Sequence, residues 1–209
     1  MNMKYLPIDS KLFIKNRAKF VAQMIPNSIA VFNSNDTFST GADSTLPFEQ
    51  HRNIFYLSGV DQEESILVLF PDAKNQTHKE ILFLKETNDH IAIWEGAKLN
   101  KSQATAASGV ETVLWLDQFE SVFEQLMSEA KTLYFNNNNH YRQAVEMETR
   151  EDRFIKTVRQ KFPNHKIEHN FPIMEVLRGV KEPEEIALIQ NACDITEKGF
   201  KRVLGFVKP

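Results

Sequence analysis

Three residues of this 209-residue chain have a spacing that could hold a metal: His165, Glu168 and His169 in the stretch HKIEH spell H-x-x-E-H, the inverted zinc-protease pattern. That chemistry needs both imidazoles on one helix face, a glutamate over a metal-bound water, and a third protein ligand from elsewhere. Here the motif begins two residues after Pro163, runs into Asn170-Phe171-Pro172, and has Ile167 as its one apolar position. A short strand or turn is expected instead, in which the two rings splay apart and hold no metal. Nucleophile signatures are missing as well. Cys193, the single cysteine, falls on an apolar helical stripe where it would serve as a small core hydrophobe. None of the seven glycines builds a G-x-G-x-x-G turn or a P-loop.

Two other places carry groups that a site could use. In GADSTLPFEQHRNIFYLSG, residues 41–59, Asp43 lies in a polar segment ahead of an aromatic run. A rigid element behind it could hold the carboxylate at a rim. In IAIWEG, Trp94 precedes Glu95 and Gly96 on a short, weakly amphipathic stretch, where an exposed indole would offer a flat apolar wall. Read from the residues alone, ordinary loop and core explain both places more simply.

The elements that would position these groups follow from periodicity. Asp9 or Ser10 caps a helix with Phe13, Arg17, Phe20, Val21 and Met24 on one face, stopped by Pro26. Strands are expected at SIAVF (28–32), NIFYLSG (53–59), SILVLF (65–70), EILFLK (80–85) and TLYF (132–135), with HKIEHN as an edge. Helices are expected near Thr87–Gly96, from an Asp117 cap with Glu120, and over 141–161, while the NNNN run at 136–139 reads as a turn. The tally is α/β: a mixed sheet of about six strands flanked by helices. A last helix follows, with Pro183 in its first turn beside Glu184 and Glu185, and a stripe of Ile186, Ile189, Cys193, Thr196, Phe200 and Val203.

Twenty-five Lys and Arg against twenty-eight Asp and Glu give a formal charge of -3 without long blocks of either sign, so neither nucleic acid nor an anionic membrane is expected as a partner. Charged residues interrupt the first twenty positions, so no secretion signal is expected there, and no run reaches the roughly 18 apolar residues of a membrane span. With one cysteine, a cytoplasmic location is the natural expectation.

Four segments then point to a family. ADSTLPFEQHRNIFYLSGV, ESILVLF, AIWEGAKL and RGVKEPEEIALIQNACDIT resemble, in the same order, the amino-terminal region of Xaa-Pro aminopeptidases of the creatinase and prolidase superfamily. The resemblance implies a creatinase-like N-terminal domain over 1–172, a linker over 173–182, and over 183–209 the first helix of a truncated pita-bread catalytic domain. It implies that the parent is a metallo-aminopeptidase that removes the residue preceding proline from proline-containing peptides, using two divalent metal ions, commonly manganese. Their two Asp, one His and two Glu ligands are expected downstream, so no catalytic, cofactor or metal residue is expected in the chain itself, which would restrict substrate access and support a homo-oligomer. By the same resemblance Asp43 reaches toward a neighbouring subunit's active site, and Trp94 is an aromatic wall near the substrate pocket. Phe48-Glu49-Gln50-His51-Arg52 departs from the family's aromatic-Arg-Gln-Asn run, with Glu49 reversing the charge at the usual arginine. A prolidase or creatinase remains an alternative, as does a non-catalytic interaction module of the same ancestry.

Extensively dialysed protein should retain no stoichiometric zinc by elemental analysis. One tightly held zinc, lost in a His165→Ala, His169→Ala double variant, would overturn the strand-or-turn reading of HKIEH.

Overall fold

The computed structural model describes residues 7–137 and 146–208. The chain divides between Met174 and Glu175 into two compact units.

The first unit is built on a mixed sheet of six strands: β1 (Ser28–Asn33), β2 (Ile66–Leu69), β3 (Glu80–Leu84), β4 (Thr112–Trp115), β5 (Thr132–Phe135) and β6 (Lys166–His169). Their order across the sheet is β4-β3-β2-β1-β5-β6. β2 runs antiparallel to both β1 and β3, whereas the β1/β5, β3/β4 and β5/β6 pairs are parallel. β1, β2 and β5 are buried along their whole length, as near-continuous apolar runs covered on both faces should be.

Alternation divides the side chains between two helical layers. Ile29, Val31, Val68, Phe83 and Phe135 face a core completed by α5 (Phe119–Met127) and α6 (Arg150–Lys161). There Phe123 stacks on Phe119 at 5.2 Å and tilts against Phe154 at 5.6 Å. On the other face Phe32 meets Phe20 of α1 (Ser10–Val21) edge to face at 5.2 Å. α1 packs beside α2 (Arg52–Ser58) and α4 (Lys101–Ser108). Its side-chain pattern explains that placement: Leu12, Phe13, Asn16, Arg17 and Phe20 are all buried.

Arg17 is the largest of these and is fully buried. Its Nε donates to Glu80 Oε2 of β3 at 2.8 Å, and one terminal nitrogen donates to the carbonyls of Leu57 and Ser108, each at 2.8 Å. Those carbonyls lie at the last turns of α2 and α4. Both helices end on a left-handed glycine, Gly59 at φ 68° and Gly109 at φ 71°. A Cβ on Gly59 would lie 2.2 Å from the Phe13 ring, and one on Gly109 would lie 2.6 Å from Ile14. Glycine therefore serves twice over: for the positive φ and for the close approach of α1.

Several local expectations are corrected. The 53–59 stretch is not a strand: α2 (Arg52–Ser58) runs through it, because His51 caps the helix, Gly59 terminates it, and Asn53, Ile54, Leu57 and Ser58 are buried at helical spacing. The strand in its place is β4, which pairs with β3. Asp117 does not cap a helix; it lies in a 3-10 turn, Leu116–Gln118, that leads into α5. Helix α4, unforeseen, is set by a reciprocal capping box between Asn100 and Gln103. Of the helix expected over 141–161, residues 141–145 lie outside the described residues, and α6 starts at Arg150 with Thr149 as its cap.

The second unit, from Glu175 onward, holds the end of α7 (Phe171–Gly179) and α8 (Pro183–Phe206). Much of the 173–182 stretch expected as a linker is thus helical. α8 starts as the sequence predicts, with Pro183 in its first turn and the Glu182 N–H bonded to Glu185 Oε2 at 2.9 Å. Ile186, Ile189, Phe200 and Val203 are exposed, and so is Cys193, which is not the core residue expected. None of the described helices is long and apolar enough to cross a membrane.

Replacing Gly59 with Ala should cost about 2–3 kcal/mol, from positive-φ strain plus overlap with Phe13. Arg17→Met, which leaves two carbonyls and Glu80 without their donor, should cost about 3 kcal/mol or more. Urea unfolding followed by far-UV circular dichroism reads both; a change under about 0.5 kcal/mol in either would contradict the packing described here.

Candidate functional site

Asp43 lies in the connection between β1 and α2, and that connection is fastened at both ends. At its start the Ser34 N–H donates to the Ser65 carbonyl at 2.9 Å, and Asn35 Nδ2 donates to the Glu49 carbonyl at 2.9 Å. Asp36 accepts from the Arg150 main-chain N–H at 2.7 Å and pairs with the Arg153 guanidinium. At its end Gln50 Nε2 reaches the carbonyls of Val60 and Gln62 and the Ser65 hydroxyl, at 3.1, 2.9 and 3.1 Å. Between these anchors the chain folds into a small hairpin, with a bridge from Ser39 to Thr45 and an N–H donated by Thr40 to the Ser44 carbonyl at 2.8 Å. Asp43 lies within that turn and is exposed. The rigid element behind this loop is helix α2 rather than the expected strand.

Trp94 is carried by α3 (Asp89–Glu95), which Asn88 opens by accepting from the N–H groups of His90 and Ile91 at 3.0 and 2.9 Å. Gly96 ends it at φ 79°, ψ 165°, a backbone region open almost solely to glycine. The indole is 82% exposed and neighbouring Ile93 is 74% exposed. One side of the helix is pinned by charge: Glu95 pairs with Lys85 at 2.9 Å, and Lys85 also pairs with Glu64 at 3.2 Å. The hydrogen bond from Lys85 holds the Glu95 carboxyl below its usual range, and the bond to Glu95 raises Lys85. Beside them, burial works to raise the Glu63 carboxyl, but its hydrogen bond to Lys98 leaves it below the usual value. α3 thus offers an apolar surface on a charged, fixed base.

The HKIEH residues do not converge. β6 begins at Lys166, so the motif lies on a strand; His165 Nε2 is 2.8 Å from the Met127 carbonyl, His169 Nδ1 is 2.6 Å from Asn137 Oδ1, and Glu168 pairs with Lys166. Among the described residues no group of three or more His, Cys, Asp or Glu side chains could hold a metal ion.

Sequence reasoning missed a buried polar cluster at the C-terminal ends of β1 and β5. Asn136 is 2% exposed, and its Oδ1 accepts from Asn53 Nδ2 at 2.7 Å and Asn170 Nδ2 at 3.1 Å. Its Nδ2 lies 3.2 Å from His51 Nδ1, and its main-chain N–H donates to Glu151 Oε1 at 2.9 Å. The asparagine run was the available signal, but a run read as a turn gives no hint that its first member is a buried hub.

Comparison with known proteins places this architecture. Residues 13–134 match the family model of the aminopeptidase P N-terminal domain. The Xaa-Pro aminopeptidase of Escherichia coli K12 is 26% identical over 204 residues, which is 97% of this chain and 46% of that protein. Human Xaa-Pro aminopeptidase 3 is 24% identical over 178 residues, 80% of this chain and 33% of its own length. The chain therefore spans about half the length, or less, of the curated relatives it matches. A solved Bacillus anthracis structure described as an aminopeptidase P superposes with a TM-score of 0.83 at 27% identity, covering 92% of this chain and 46% of that one. E. coli aminopeptidase P shares the fold at a TM-score of 0.74 and 24% identity, over 91% of this chain and 43% of that one. With the matched segment extending over more than half of its residues, the chain belongs to the aminopeptidase P N-terminal domain family.

Proposed function

We propose that the chain is the amino-terminal part of a metal-dependent Xaa-Pro aminopeptidase, in which it restricts access to the substrate pocket and helps assemble subunits. The observation that carries this reading is the match along 97% of this chain to a protein named Xaa-Pro aminopeptidase, of which it covers 46%. Catalysis is assigned to a further domain. The bond before proline is a tertiary amide, without the N–H that most peptidases read, so a dedicated proline pocket is needed; two divalent ions, commonly manganese, would supply the activated water there. None of that chemistry is assigned to the described residues, whose carboxylates and imidazoles form no metal-binding group.

The roles of this domain are then those of its surface. Asp43, exposed on an anchored hairpin, would project a carboxylate toward the pocket of a neighbouring subunit. Trp94 would form an apolar wall whose orientation is set by the Glu95–Lys85 pair. The exposed stripe of Ile186, Ile189, Phe200 and Val203 supports the same reading, since a free helix face of this kind gains stability only when another surface covers it. A cytoplasmic location accords with the single cysteine among these 209 residues.

Release of the first residue from an Xaa-Pro tripeptide, with excess Mn²⁺, should be undetectable for this chain and present for the product of the complete reading frame. Equal turnover per mole would overturn the reading. In the active protein, Asp43→Ala or Trp94→Ala should lower kcat/KM by about ten-fold or more, the effect of misplacing one group at a reacting centre. Unchanged kcat/KM in both variants would remove this domain from the pocket.

A further inference from the structure

The short stretch at 60–65, which leads from α2 into β2, holds two other parts of the chain at once. Its side chains take one of them. Gln62 Oε1 accepts from the Leu99 N–H at 2.8 Å, Glu63 pairs with Lys98, and Glu64 meets Lys85 at 3.2 Å, which in turn meets Glu95 at 2.9 Å. Three successive residues thus grip, directly or through Lys85, the chain from Leu99 back to the last residue of α3, the helix that carries Trp94. The main chain of the same stretch takes the other. The carbonyls of Val60 and Gln62 accept from Gln50 Nε2 at 3.1 and 2.9 Å, and Ser65 exchanges bonds with Ser34, so both ends of the connection that carries Asp43 are held here.

These grips are unequal. Lys85, Glu64 and Glu95 are 37%, 43% and 41% exposed, and ion pairs so open to water contribute little. The Glu63–Lys98 pair is better shielded, but it holds the end of a flexible side chain. Gln62 is 5% exposed and holds the main chain itself. Packing adds little to orient α3, since none of its residues is buried and a Cβ on the Gly96 that ends it would meet nothing within 4 Å. Within the gripping stretch Glu64 stands at φ 52°, a left-handed conformation uncommon for a residue with a Cβ, and one that persists where surrounding bonds over-determine it.

We propose that Gln62 is a positioning residue shared by Trp94 and Asp43: its side chain sets the root of α3, its carbonyl sets Gln50 at the end of the Asp43 connection, and the stretch at 60–65 makes the two move as one body. The consequence for catalysis rests on the pocket role proposed above for these two groups. The shared mount does not, and its test needs no substrate.

Gln62→Met keeps the length of the side chain and removes the acceptor. In this chain, amide exchange followed by NMR should quicken at Leu99 by about ten-fold or more and, across the mount, at His51 and Leu46 by about three-fold or more, with the α5 amides unchanged. Gln50→Leu, made on the Asp43 side, should in the same way quicken Leu99. With Trp115 replaced by Phe, leaving Trp94 as the one indole, Gln62→Met should also lower the fluorescence anisotropy of Trp94. Changes confined to each variant's own side would overturn the proposal. In the complete, active protein Gln62→Met should lower kcat/KM about five-fold or more, and less than additively with Trp94→Ala and with Asp43→Ala. Additive losses would place its effect elsewhere and overturn the positioning role. Exchange that quickens on both sides with kcat/KM unchanged would overturn the pocket role of the two groups and leave the mount standing. Should the variants fail to fold, wild-type exchange in rising urea decides: Leu99, His51 and Leu46 should share one opening free energy and one urea slope, and separate slopes would overturn the mount.

Discussion

A guanidinium removed from water organises the helical layer of the first unit. Arg17 could not be buried without anionic and carbonyl partners, since an uncompensated buried charge costs several kcal/mol. It finds them on three separate elements, through Glu80, Leu57 and Ser108. Burial lowers its pKa and Glu80 works in the opposite direction, so the pair is what keeps the charge tolerable. The geometry of that group dictates where α2 and α4 must end, and the two left-handed glycines follow from the need to bring α1 close to those ends. α2 in turn backs the connection that displays Asp43, and α4 leads into the edge strand β4. One buried cation thus reaches, through rigid steps, to the loop architecture on which the proposed role rests.

One face of the sheet and the ends of its central strands are held by different means. Beneath α5 and α6 the contacts are nearly all apolar, with Phe119, Phe123, Phe135 and Phe154 in mutual edge and stacked contact. Such a core tolerates small shifts because dispersion is not directional. At the C-terminal ends of β1 and β5 the material changes to amides, a carboxyl and imidazoles, where each bond has a required direction. Buried polar networks of this sort fix a unique arrangement when every member is satisfied. Among the described residues Asn170 Oδ1 and Gln62 Nε2 are buried without a protein partner.

The sheet strands with continuous apolar runs were legible in the sequence: β2, β3 and β5 lie inside the stretches that β-branched and aromatic content singles out, and β1 runs one residue past its own, to Asn33. The misreading at 53–59 shows the limit of that signal. Ile54, Phe55, Tyr56 and Leu57 favour a strand by composition, yet the His51 cap and Gly59 terminator, both local, carried the truth. α4 was hidden for the opposite reason, since its small polar residues give almost no apolar stripe and only the Asn100–Gln103 pair marks its start. Asp43 and Trp94 were singled out from the residues around them as groups that a site could use, and the family resemblance supplied the roles proposed for them. The Asn136 hub was out of reach, because its partners at 51, 53, 151 and 170 are distant in sequence and meet only once the strands align.

The strand order also bears on how the chain is made. β1 finds β2 after the Asp43 connection and α2, but its other neighbour is β5, with Ser28 opposite Thr132 and Ala30 opposite Tyr134. During synthesis from the amino terminus, an apolar strand that ends up near the middle of the sheet therefore waits with one bare side until more than half of the chain has left the ribosome. Contacts so far apart slow folding, and an unpaired strand edge invites pairing with another nascent chain. A chain with this topology gains from chaperone cover over that interval, and the interval closes only when β5 adds to the side of β1 opposite β2.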